Sequence, residues 1–132
     1  MTTFDFYDGN GPVAAHQHSN GGGWVADTAI VADTAYVGSK ARVYGNARVY
    51  GDARVYGDAR VYDNARVYGN ARVFGDAWVS ENARVFGNAK VSENARVFGN
   101  AKVCEDAEDT EKCDQKEDNT KKITITITIE IE

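Results

Sequence analysis

Leucine does not occur in this chain of 132 residues, methionine stands only at Met1 and proline only at Pro12. Cysteine and histidine occur twice each, as Cys104, Cys113, His16 and His18. Each shortage excludes something. A conventional core fills irregular space with side chains of mixed size, whereas an apolar supply of mostly Val and Ala suits a core of identical layers. Two His and two scattered Cys are too few for a Cys/His zinc centre without help from carboxylates. There is no Cys-x-x-Cys pair, no phosphate-cradling Gly loop and no Ser-His-Asp grouping, so no metal, cofactor or catalytic residue is expected. No apolar run is long enough to span a bilayer, and no membrane partner is expected. The chain opens without a basic stretch ahead of an apolar one, which points to the cytoplasm or a particle assembled there. The net charge of −5 and isoelectric point near 5.0 argue against a nucleic-acid partner, which calls for a basic face.

What is present is a repeat, the first thing to test in any chain. Valine recurs at every sixth position from Val25 to Val103, giving fourteen hexads. A small residue, Gly23 and then Ala29 through Ala101, lies two positions before each Val. From Val43 onward a turn pair such as Gly45-Asn46, Gly51-Asp52 or Asp63-Asn64 follows. Ala and Val two apart point to one face of an extended segment, and Arg and Tyr to the other. Gly-Asn and Gly-Asp tolerate left-handed backbone angles and turn the chain after each short strand. A helix is excluded, because a period of six does not match 3.6 residues per turn.

This pattern over residues 23–104 resembles the hexapeptide-repeat family. The resemblance implies an all-β, left-handed parallel β-helix with three hexads per coil, hence under five coils. On that geometry residues eighteen apart stack: Val43, Val61, Val79 and Val97 on one side, Val49, Val67, Val85 and Val103 on the next, and Val37, Val55, Val73 and Val91 on the third. Gly22-Gly23-Trp24-Val25, leading into the Asn-Ala-Arg-Val-Tyr units, is also similar to bacterial and phage repeat proteins described as acyltransferases. That likeness implies a phage-encoded accessory or virion role.

Arg and aromatic side chains should line the outside in columns. Like charges in a ladder repel, and stacking on the adjacent rings, or acids such as Asp52, Asp58, Asp76 and Glu93, would offset this. Broad exposed aromatic area usually has a partner. Tyr44, Tyr62, Tyr50, Tyr68, Phe74 and Phe86 are therefore expected at subunit contacts of a homo-oligomer, a trimer being what the resemblance favours.

Residues 1–22 lie outside the repeat. Phe4 and Phe6 alternate with polar residues as in a short strand, a turn follows at Gly9 to Pro12, and Trp24 is expected to cap the first coil. Residues 105–122 are highly charged and read as a solvated loop. Residues 123–132 alternate strictly between apolar and polar, a strand signal. Left unpaired, such a strand is an aggregation hazard, so Ile123, Ile125, Ile127 and Ile129 are expected in an assembly contact.

The functional expectation is a non-enzymatic structural or protein-interaction module that self-associates through its flanks and terminal strands. The alternative, implied by the resemblance, is a coenzyme A-dependent acyltransferase. Relatives of that kind use a His as general base, and here only His16 or His18 could serve.

Overall fold

The computed structural model describes residues 2–105, Glu105 by its backbone alone. The charged stretch after Glu105, Cys113 and the Ile-rich stretch with Ile123, Ile125, Ile127 and Ile129 lie outside the described residues.

The chain begins with a small antiparallel unit. Strand β1 (Thr3–Asp5) pairs with β2 (Pro12–Gln17), Asp5 opposite Pro12, and β2 pairs with β3 (Trp24–Ala26), His16 opposite Val25. Residues 6–11 join β1 to β2, so the expected turn begins before Gly9 and Pro12 already belongs to β2. Strand β2, Pro-Val-Ala-Ala-His-Gln, carries no clear apolar-polar alternation, so nothing in its sequence marks it as a strand.

From β3 the chain winds into an all-β solenoid, three rungs per coil. The sides fill in rotation: β4 (Ile30–Val31), β5 (Tyr36–Val37), β6 (Arg42–Val43), β7 (Arg48–Val49), β8 (Arg54–Val55), β9 (Arg60–Val61), β10 (Arg66–Val67), β11 (Arg72–Val73), β12 (Trp78–Val79), β13 (Arg84–Gly87), β14 (Lys90–Val91), β15 (Arg96–Val97) and β16 (Lys102–Glu105). The first sheet stacks β1, β2, β3, β6, β9, β12 and β15; the second β4, β7, β10, β13 and β16; the third β5, β8, β11 and β14. Every pairing between coils is parallel and joins residues eighteen apart, Val49 to Val67 to Val85 for example.

The repeat explains each contact. Val and Ala point inward, and from Val37 to Val97 every Val of the series is fully buried. Amides of one coil donate to carbonyls of the next, Arg48 to Ala65 and Tyr50 to Val67 at 3.0 Å each. At the corners, Gly45, Gly51, Gly57, Gly69 and Gly75 hold φ between 69° and 72°, the left-handed region open to glycine. Asp63, Glu81 and Glu93 occupy the same corner position at φ near 60°. The backbone therefore keeps the turn even where the sequence withholds glycine.

The lower end is closed on two of its three sides. Beneath the first sheet lies β2. Beneath the third, the Val37 amide donates to Asn20 and the Gly23 amide to the Val37 carbonyl, both at 3.0 Å. A Cβ on Gly23 would stand 2.3 Å from the Gly38 carbonyl oxygen and from Val37 Cγ1. Glycine is thus required where the cap meets the first coil. Beneath the second sheet the described residues place no strand, and Ile30 remains 56 % exposed.

Candidate functional site: ring ladders and cationic grooves on unequal faces

The residue after each Val sits at a corner, and there the rings stack rung upon rung. Tyr50 lies 4.9 Å from Tyr68, centroid to centroid, and Tyr68 5.1 Å from Phe86, with planes within 5°. Tyr56 and Phe74 stack at 5.0 Å, and Tyr44 and Tyr62 at 5.0 Å. All six ring residues expected at contacts are thus drawn into ladders.

The ladders are not equally covered. On the first sheet two rings of the N-terminal segment reach over the outer face. Phe4 stacks on Trp24 at 4.7 Å, Phe6 stacks on Tyr44 at 4.7 Å, and Arg42 stands 5.1 Å over the Phe4 ring. Tyr44 is left 5 % exposed beneath Phe6. The cover over Tyr44, expected to be a neighbouring subunit, comes from its own chain. Burial pushes the Tyr44 phenol above its ordinary value, with Arg60 opposing. Trp24, expected to cap the open end, instead lies on the outer face under Phe4. Tyr50 stays 37 % exposed on the second sheet. Burial also raises the Tyr68 phenol, and neighbouring Tyr50 adds to it while Arg84 and Arg66 oppose.

Among the described residues a shallow groove runs beside each sheet, pairing a cation column with a turn column. Beside the first sheet, Arg42, Arg60 and Arg96 are interleaved with Trp78, with Asp58 and Asp76 in the same groove. Arg60 and Arg96 stand 5.6 and 4.5 Å over the Trp78 ring, within the range of cation–π attraction. Beside the third sheet, Arg54, Arg72 and Lys90 share a groove with Asp52, Asn70 and Asn88. Beside the second sheet the cations are Arg48, Arg66, Arg84 and Lys102, and the turn column is Thr28, Asn46, Asn64, Asn82 and Asn100. Among the described residues that groove is lined by no carboxylate and no ring. Asp63 and Glu81 stand at its corner but turn to backbone: Asp63 Oδ2 accepts from the Glu81 amide at 3.3 Å, and Glu81 Oε1 from the Gly99 amide at 3.0 Å. Among the described residues no Arg or Lys forms an ion pair with a carboxylate; the pair there is His16 with Asp27. Of the expected compensation, the ring contacts lie on the first sheet, and the acids form no ion pair with the arginines among the described residues.

The two histidines part company. His16 Nδ1 lies 2.8 Å from Asp27 Oδ1, both side chains half exposed. His18 is buried, its Nε2 2.9 Å from the Ala35 carbonyl, which also accepts from Asn20 Nδ2 at 3.1 Å. One imidazole is thus held by a carboxylate, and the other ties the cap to the coil. No group of three or more His, Cys, Asp or Glu among the described residues is placed to hold a metal. Cys104 is not a free thiol.

Comparison with known proteins bears on the coils. Three overlapping stretches, residues 41–57, 53–67 and 65–81, match the YdcK Beta solenoid repeat. The coils are similar to that repeat family. No curated protein and no solved structure matches the chain. The likeness supports a β-solenoid repeat array, and the matched stretches hold Arg48 and Arg66 of the second sheet with Asn46 and Asn64 beside them.

Several residues of these YdcK-like coils and their cap carry no periodic signal. Phe4 and Phe6 were legible as a strand but not as the cover of one chosen face. Trp78 stands where the repeat has Arg, a substitution that marks the first sheet as different. Ser80 likewise replaces a ring in the Tyr44–Tyr62 column and is buried.

Proposed function

We propose that this protein is a non-enzymatic interaction module, a rigid three-sided solenoid that self-associates side by side, with a trimer as the favoured assembly. The unequal cover of the ring ladders carries the reading. Where the chain supplies Phe6, Tyr44 falls to 5 % exposure, while Tyr50 on the second sheet keeps 37 %. Stacked rings presented edge-on form a flat, pre-ordered apolar strip that loses little side-chain entropy when covered, and aromatic residues are enriched at subunit contacts. A second copy fits that strip. The Ile-rich stretch 123–132 is the other proposed contributor, acting in the cytoplasm or in a particle assembled there.

Sedimentation velocity over a range of protein concentrations tests the proposal. Wild type should sediment as a trimer, and Tyr50→Lys/Phe86→Lys should run as a monomer with an unchanged far-UV circular dichroism spectrum. Removing residues 121–132 separates the share of the Ile-rich stretch. A monomeric wild type would overturn the reading.

One observation favours a second reading. Asp27 at 2.8 Å from His16 Nδ1 holds the ring so that Nε2 is the nitrogen left for a substrate, the orientation a general base requires. A coenzyme A-dependent acyltransferase would use it there. Calorimetric titration with coenzyme A decides between the two, because the interaction module gives no heat of binding.

A further inference from the structure

We propose that the groove beside the second sheet binds a linear acidic glycan, its carboxylate or sulfate groups held by Arg48, Arg66 and Arg84 and its hydroxyls by Asn64 and Asn82. This goes beyond self-association. It uses the turn-side edge of the rungs, whereas the ring ladder occupies the other edge.

Three observations lead to it. Arg48, Arg66, Arg84 and Lys102 stand in register on successive coils, each about 4.8 Å from the next. Such a column repels itself, and on the first sheet Phe4 and Trp78 lie under the guanidinium groups. On the second sheet no ring or carboxylate among the described residues lines the groove, and Asp63 and Glu81 beside it are engaged by backbone amides. The charge there is unanswered among the described residues, and an anion is what answers it. Beside each cation stands an Asn of the turn column, exposed on the surface. A carboxamide both donates and accepts, which is what a sugar hydroxyl asks of a protein. Arg adds a two-pronged grip on carboxylate or sulfate.

The pitch and lining select among anionic polymers. In an extended peptide, side chains on one face recur about every 6.6–6.8 Å, so an acidic peptide falls out of step within two coils. Single-stranded nucleic acid needs aromatic platforms for its bases, and none of the described residues offers one in this groove. A pyranose ring in an extended β-linked chain advances by about one rung, and successive rings are flipped, so an acidic group meets the cation column at every second coil and hydroxyls meet the groove in between.

Affinity electrophoresis with polymannuronate, a linear β-linked uronate, tests the proposal. Hydroxyethyl cellulose serves as neutral control and oligo-dT as nucleic-acid control. Wild type should be retarded by polymannuronate alone, and the retardation should fall with added salt. Arg66→Gln/Arg84→Gln should weaken binding at least tenfold, while Arg54→Gln/Arg72→Gln on the third sheet should change it less than twofold. Asn64→Asp/Asn82→Asp gives a second readout. Asp occupies the same turn position at Asp52, Asp58 and Asp76, so the variant folds, and it should abolish binding by answering the arginines internally. The proposal is overturned if polymannuronate retards no more than the neutral polymer or if oligo-dT binds as tightly. Equal losses from the second-sheet and third-sheet arginine pairs would overturn it as well.

Discussion

Replacing Val67 by Ala probes the layered core directly. Val67 is fully buried, with Val49 below and Val85 above in register. The substitution removes two methyl-sized groups, worth about 0.8 kcal/mol each in transfer from water. The space they leave is bounded by rungs whose height is fixed by hydrogen bonds such as Arg66 N to Ala83 O at 3.0 Å. Collapse is therefore restricted, and the cavity raises the loss to about 2–3 kcal/mol. Val31→Ala removes the same atoms from the lowest rung of the second sheet, where Val31 is only partly buried, and should cost about 1 kcal/mol by the same area argument. Equilibrium unfolding in urea, followed by circular dichroism at one fixed protein concentration, reads both. Fixing the concentration matters because self-association adds to apparent stability. A loss under about 0.5 kcal/mol at Val67, or equal losses at both positions, would refute a core in which each layer leans on its neighbours.

Two other perturbations address the corners and the cap. Glu93 holds φ at 60°, a conformation that costs a side-chain-bearing residue roughly 1–2 kcal/mol. Glu93→Gly relieves this but loosens the unfolded chain, so the net gain should be about 0.5 kcal/mol, read as a higher urea midpoint; a lower midpoint would contradict the strain argument. Tyr44 carries a phenol held above its ordinary value of 10.0, chiefly by burial. As the pH rises past 10, the unfolded chain loses this proton before the folded one does, so stability falls until the folded phenol ionises too. Tyr44→Phe keeps the ring stack and should flatten that alkaline loss in urea midpoints measured between about pH 9 and 11. Unchanged slopes would mean that Tyr44 is not the buried phenol responsible.

The period of six contains most of the coil. Alternation within each hexad decides that Val and Ala face inward and that Arg, ring and turn residues face out, because successive side chains of an extended strand take opposite sides. A left-handed corner every six residues then brings like rungs together, and register eighteen apart follows from three rungs to a coil. These are short-range consequences, repeated, and a single chain states them plainly. The same uniformity conceals what distinguishes the faces. Nothing periodic says that Phe4 and Phe6 close over Tyr44 and Trp24 and leave Tyr50 and Tyr68 without that cover, that β2 seals the first sheet, or that His18 reaches Ala35 while His16 reaches Asp27. Those pairings join segments of unlike sequence across the lower end of the solenoid. Three nearly equivalent sides were available to the N-terminal segment, and only its packing in three dimensions selects one. That choice buries Tyr44 at the foot of one ladder, shields one arginine of the first sheet, and leaves the cations of the second sheet without such a cover among the described residues.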